Sequence, residues 1–293
     1  ARGRCRSAIT MEKDIRKSAI AGTWYPGDPD TLRGEIRRYF EKAPPGPVGG
    51  RIVGLVSPHA GYRYSGPIAA RGYRLIERQR YDAVVVIGPS HRVLFRGASV
   101  WPSGGYETPL GVVPVDVELA GAILGADPVM NSDRKPHAAE HSVEIQLPFL
   151  PVALGASSFV PVVMGTQDVR TCESVAEAVF RAAKGKDILV VGSSDLSHFH
   201  SYEQATRLDG IVVDLVRKRD YRALARELEE GSCEACGGGP VVATMLVAEK
   251  AGARGVQVLQ YANSGDVTGD RRQVVGYLSA VFYREAAGKK RTE

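Results

Sequence analysis

The chain has 293 residues, 44% of them hydrophobic, with 33 Gly and 17 Pro, which is enough for a sizeable core in one large α/β domain or two small ones. No apolar run approaches the roughly 20 residues that span a bilayer, and no apolar segment follows the basic stretch Ala1–Thr10 to make a secretory signal of it. The net charge of +5 resides in the ends: residues 1–17 balance at +4 and 284–293 at +2, leaving −1 for the rest. That distribution argues against a nucleic-acid-binding face, and the lack of a long apolar run argues against a membrane span. The expectation is a soluble cytoplasmic protein.

In chain order, Asp28-Pro29-Asp30 reads as a helix cap with Pro in the first turn, and Leu32, Ile36, Tyr39 and Phe40 recur at helical spacing. The Pro/Gly-rich stretch 43–50 separates this helix from the strand run Arg51–Val56. Pro67–Arg80 reads as a helix and Asp82–Ile87 as a second strand. Tyr106–Asp116 resembles a hairpin around Pro109-Leu110-Gly111. The alternation then repeats: strand Phe159–Met164, helix Asp168–Lys184, strand Asp187–Val191, helix Tyr202–Lys218. A helix over Val241–Ala251 and the apolar runs Val256–Tyr261 and Val274–Phe282 close the chain. Buried strands joined by helices predict a single α/β domain, its central sheet mainly parallel or mixed and covered by helices on both faces.

The reactive residues are clustered. Three apolar runs lead directly into polar turns: Ser57-Pro58-His59-Ala60-Gly61-Tyr62, Gly88-Pro89-Ser90-His91, and Gly192-Ser193-Ser194-Asp195-Leu196-Ser197-His198. Open α/β sheets bind ligands outside the carboxyl ends of their strands, so His59, His91, Asp195 and His198 should meet at one edge. A lone histidine is usually a hydrogen-bonded structural residue. Here all six (59, 91, 137, 141, 198, 200) fall in three strand-end turns or one short segment, a grouping that favours a site. Imidazole suits Fe, Cu, Ni and Zn alike.

Of the four cysteines, Cys5 lies in the N-terminal tail and Cys172 in a helix-like stretch, as a small packed residue. Cys233-Glu234-Ala235-Cys236 is a lone CxxC. A four-cysteine zinc site would need a second one. The following Gly237-Gly238-Gly239-Pro240 lets the backbone approach something closely, and a helix start there favours a thiolate at Cys236. His137-Ala138-Ala139-Glu140-His141 matches the HxxEH pattern of inverted zinc peptidases. Pro148 and Pro151 cut such a helix short, and a protease reading leaves the strand-end histidines unexplained.

Six ordered blocks resemble the signature segments of the Memo family: Ala21-Gly22-Thr23-Trp24-Tyr25-Pro26, Ser57 to Tyr62, Gly88 to His91, Glu140-His141-Ser142-Val143-Glu144, Ser193 to His198, and Cys236-Gly237. The resemblance covers roughly residues 11–283, with a tail at 1–10 and a basic tail at 284–293 outside it. It implies a fold similar to that of class III extradiol dioxygenases, whose iron is held by two His and one carboxylate. It further implies a metal pocket of His59, His91 and Cys236 holding one ion, Fe(II) or Cu, with Zn as an alternative. His198 and His141 would then serve as acid or base, oriented by Asp195. Thiolate in place of carboxylate softens the site toward Cu(I) or Zn, so ring cleavage does not carry across with the fold. The eukaryotic member is linked to phosphotyrosine-peptide binding and to copper- or iron-dependent redox chemistry. Microbial members are associated with AMMECR1-like and radical-SAM partners. The two resulting expectations are a metal-dependent oxidoreductase acting on a small molecule or peptide, and a non-catalytic peptide- or protein-binding module reusing the same cleft.

Overall fold

Valine-rich runs without polar alternation are buried on both faces, and the sheet is built from them. The computed structural model describes residues 14–44, 46 and 48–285. The expected N-terminal tail at 1–10, Cys5, and residues 286–293 lie outside them. In chain order the elements begin with β1 (Ile15–Arg16), α1 (Pro29–Lys42), β2 (Gly50–Ser57), α2 (Tyr62–Leu75), β3 (Ala83–Pro89) and β4 (Ala98–Val100). Next come β5 (Gly105–Thr108), β6 (Gly111–Pro114), α3 (Val117–Ala126), β7 (Met130–Asn131) and α4 (Lys135–Ala138). A 3₁₀ turn (Glu144–Gln146), α5 (Phe149–Ala153), β8 (Phe159–Met164), α6 (Val169–Ala182), β9 (Ile188–Ser193) and β10 (Asp195–His200) follow. The chain closes with α7 (Tyr202–Lys218), α8 (Tyr221–Glu229), α9 (Gly238–Lys250), β11 (Gly255–Asn263), α10 (Ser264–Thr268) and β12 (Val274–Glu285).

The large sheet runs β10-β12-β2-β9-β3-β8-β4-β7, with β11 added on β12. Its centre, β2-β9-β3-β8, is parallel, while β12 pairs antiparallel with β2 and β4 with β8. The sheet is therefore mixed. Every residue of β3, β8 and β9 is buried. Both faces are covered, as successive residues of β2 show: Gly54 meets Ala248 of α9, and Leu55 lies against Gly72 of α2. One continuous apolar core joins these layers. A small second sheet, β1-β5-β6, contains the expected hairpin. Among the described residues no helix is long and apolar enough to cross a membrane.

Three elements differ from expectation in their bounds. The second helix runs Tyr62–Leu75 in place of Pro67–Arg80 and carries Pro67 inside it, past the first turn, where the missing N–H forfeits one intrahelical bond. The last long helix starts at Gly238, not Val241. Arg284 and Glu285, assigned to the basic tail, are the last residues of β12, in register with Arg51 and Gly50. The Asp28 cap stands as expected, its carboxylate accepting the Thr31 N–H at 2.9 Å.

Candidate metal centre

Three adjacent parallel strands deliver the site. β2 ends at Ser57 and β3 at Pro89, each just ahead of its histidine, and β9 ends at Ser193, two residues ahead of Asp195. His59 is buried, 1% exposed, and its Nε2 lies 3.0 Å from Cys236 Sγ. A ring nitrogen of His59, one of His91 and the Cys236 sulfur all fall within 4.8 Å of one another. The rings of His59, His91 and His141 are in mutual contact, with centroids 5.1, 5.4 and 4.4 Å apart for the pairs 59/91, 59/141 and 91/141.

Each ring is anchored through Nδ1 or its neighbours. His91 Nδ1 lies 2.9 Å from Glu140 Oε1, and the same carboxylate accepts the His91 backbone N–H at 2.6 Å and that of Ser142 at 2.9 Å. Burial opposes ionisation of Glu140, yet these donors outweigh it and hold its pKa below the ordinary range. His59 Nδ1 faces the Ser193 hydroxyl at 3.1 Å. His198 Nδ1 donates to the Leu196 carbonyl at 2.8 Å, so its Nε2 is the acceptor-type nitrogen. His141 packs on the Trp24 ring at 4.4 Å; its Nδ1 is buried without a hydrogen bond among the described residues, although Glu140 Oε1 is 3.4 Å away. Burial, reinforced by the neighbouring imidazoles, pulls His59 down to about 3 and lowers His141, so both stay neutral at physiological pH.

Cys236 sits just before the first turn of α9 and is pinned by its backbone. Its N–H donates to the Asp195 carbonyl at 3.2 Å, and its own carbonyl accepts Gln167 Nε2 at 2.9 Å. The glycines explain the closeness: a Cβ on Gly237 would strike the Ser193 carbonyl, and one on Gly239 would meet the Gln167 side chain. The expected thiolate is not what the metal-free pocket favours. Burial and the nearby Asp195 push the thiol pKa up, outweighing the hydrogen bonds at the helix start. Cys233, three residues earlier, is buried, and burial raises it to about 11.

Asp195 differs from expectation in its role. It was expected to orient a catalytic imidazole, but its Oδ1 instead accepts the backbone N–H groups of His59 (2.7 Å) and Ala60 (3.3 Å). Burial raises its pKa. The carboxylate holding an imidazole is Glu140, which the sequence placed in the HxxEH pattern and in a family block without giving it a role. The two histidines of that pattern part company. His137 is fully buried with Nδ1 2.6 Å from the Tyr106 hydroxyl, while α4 ends at Ala138, before His141. His200 turns to Glu234 at 2.9 Å. His198 lines, with Cys236, Leu196, Leu228 and Glu234, a cavity of about 640 Å³ that His59, His91 and His141 do not line.

The donor set suits a cation. His59 and His91 each turn Nδ1 toward a protein oxygen, which directs Nε2 to the pocket, and a thiol completes the group. Binding a metal would require loss of the thiol proton, as it does at any cysteine ligand. A second grouping, His91, Glu140 and His141, is equally close, but its carboxylate is already occupied by three N–H donors.

Fold and pocket together define an α/β protein with a strand-end His/His/Cys centre. The chain belongs to the Memo family: the model of the Memo-like protein matches residues 16–281. A MEMO1 family protein of Methanopyrus kandleri is 39% identical over 282 residues, spanning 92% of this chain and 99% of that protein. Relatives from Thermotoga neapolitana (39% over 279 residues) and Sulfolobus acidocaldarius (37% over 285) cover the same shares. An uncharacterized protein of Escherichia coli has a similar fold, with a TM-score of 0.55 at 14% identity, covering 80% of this chain and all of that one.

Proposed function

We propose that the protein holds one metal ion, redox-active Fe(II) or Cu, through His59, His91 and Cys236, and that it performs metal-dependent redox or dioxygenase-like chemistry; Zn, which has no redox chemistry, is the alternative occupant. The convergence of two imidazole nitrogens and a thiol within 4.8 Å carries this reading. When bound, the metal would supply Lewis acidity and one-electron chemistry toward O₂ or a substrate.

The rest is assigned to this chain's own groups. His198, with Nδ1 committed to Leu196, presents Nε2 as a base beside the cavity. His141, held against Trp24 and kept neutral by burial, is the second proton-transfer group. Asp195 supports the centre through the backbone of the His59 turn. Family resemblance adds an AMMECR1-like and a radical-SAM protein as partners to this proposal.

The test is metal analysis of protein purified anaerobically, with and without reductant, followed by O₂-uptake screening with catechols. Stoichiometric metal lost in Cys236→Ala supports the reading. Metal-free protein that takes up no added Fe(II) or Cu(I) overturns it. The second reading, a binding module, is favoured by the cavity of about 640 Å³ beside Cys236, and metal-independent peptide capture there would promote it.

A further inference from the structure

The two proposed histidine ligands are supported differently. His91 leans on a carboxylate, whereas His59 faces only a serine hydroxyl. A hydroxyl can donate or accept, so the contact alone leaves the His59 proton unplaced. The surrounding network places it. Gln146 is fully buried. Its Nε2 donates to the Pro58 carbonyl at 3.0 Å and to Ser193 Oγ at 2.8 Å, while its Oε1 accepts from the Tyr73 hydroxyl at 3.0 Å. A flipped amide would set its oxygen against the Pro58 carbonyl, so the orientation is fixed. Ser193 Oγ thus accepts one hydrogen from Gln146. Its own single hydrogen goes to the Ser142 carbonyl at 2.6 Å, a group that can only accept. The remaining partner, His59 Nδ1 at 3.1 Å, must therefore donate.

We infer that Ser193, held by Gln146 and Ser142, is a positioning residue that locks His59 with its proton on Nδ1, leaving the Nε2 lone pair beside Cys236 as the ligand atom. The tautomer assignment stands on the hydrogen-bond network, and its consequence for metal rests on the function proposed above. Hydrogen-bond partners of metal-bound histidines fix tautomer and ring angle in this way, and their loss typically weakens metal binding by about 10- to 100-fold. The centre is thereby preorganised at His59 by an uncharged relay and at His91 by a charged one.

The experiment uses the full chain labelled with ¹⁵N-histidine, with His59 assigned by the signal missing in His59→Gln. Two-bond ¹H–¹⁵N correlation at neutral pH should show Nδ1 protonated and Nε2 unprotonated in the metal-free wild type. Protonation at Nε2, or at both nitrogens, in the wild type overturns the inference. Ser193→Ala should give a tautomer mixture and a loss of about 10- to 100-fold in affinity for Co(II), followed by its thiolate charge-transfer band. Ser57→Ala is the control, because that buried hydroxyl at the same sheet edge has no hydrogen-bond partner among the described residues. It should leave both readouts unchanged. An unchanged tautomer and Co(II) affinity in Ser193→Ala overturn the positioning role while the metal centre stands. Absence of Co(II) binding in a wild type that shows the stated tautomer sinks the metal centre and supports the lock.

Discussion

Glu140 grips His91 twice, through the ring Nδ1 at 2.9 Å and through the backbone N–H at 2.6 Å. One carboxylate thus sets both the rotation of the imidazole and the path of the strand-end turn that carries it. Glu140→Gln keeps an acceptor for one of these donors but turns an NH₂ toward the other, and it removes the charge. Metal affinity should fall by about 10- to 100-fold with the fold retained. Competitive titration with a chromogenic chelator reads this directly, and an affinity within twofold of wild type would reassign Glu140 to a purely structural role.

The two cysteines should separate cleanly. Cys236 Sγ lies 3.0 Å from His59 Nε2, whereas Cys233 is buried and carries a raised pKa. Cys236→Ala should lose most bound metal, and Cys233→Ala should keep it. If the pair worked instead as a redox couple, both variants would lose the same activity and metal content would follow neither. Cys236→Asp should shift preference from Cu(I) toward Fe(II), because a carboxylate is the harder ligand.

Asp195→Asn should keep most of the metal. Both backbone donors point at the same oxygen, Oδ1, and an amide oxygen can accept them equally well. Asp195→Leu removes the acceptor and leaves two N–H groups unpaired, at a cost of about 1–3 kcal/mol each where buried. Chemical denaturation and metal analysis of the two variants provide the check. Equal metal loss in both would make the charge, not the hydrogen bonds, the working feature.

His137 predicts a pH effect on stability. Burial, then the nearby Arg16 cation, lowers its pKa to about 3, against 6.5 unfolded. The unfolded chain therefore takes up a proton there as pH falls below 6.5, while the folded chain does not. Stability from this group is present above 6.5 and is lost on acidification, with a slope of at most about 1.4 kcal/mol per pH unit. Urea unfolding from pH 7 to 4.5 should show a shallower acid decline in His137→Gln than in wild type. Identical slopes would refute the assignment.

How much of this was legible in the sequence depends on range. The turns after β2, β3 and β9 could be read because each histidine or aspartate follows its own apolar run within a few residues, and parallel neighbours deliver such turns to one edge. Glu140, Ser142 and Ser193 lay inside the recognised blocks, yet their roles depend on pairings 49 to 53 residues away that no periodicity encodes. Gln146 lay outside every block and carried no signal. Asp195 was singled out, but its role was not legible, because its partner is backbone, a group that every sequence position offers. Pro67 misled the helix start because proline is most at home in the first turn and is tolerated slightly beyond it.

Arg16 and Glu144 form a buried ion pair across 128 residues of chain, and Arg16 also donates to the carbonyls of His137 (2.8 Å) and Glu140 (2.6 Å). Glu144 in turn receives the backbone N–H groups of Ala19 and Ile20 and the Tyr25 hydroxyl. During synthesis His59 and His91 leave the ribosome well before this clamp can close, because its acidic half, Glu144, comes after both histidines in the chain. Contacts of such long separation form slowly. A nascent chain stalled between residues 91 and 140 would therefore display two histidines with their supports missing, and metal capture would be deferred to the nearly finished protein.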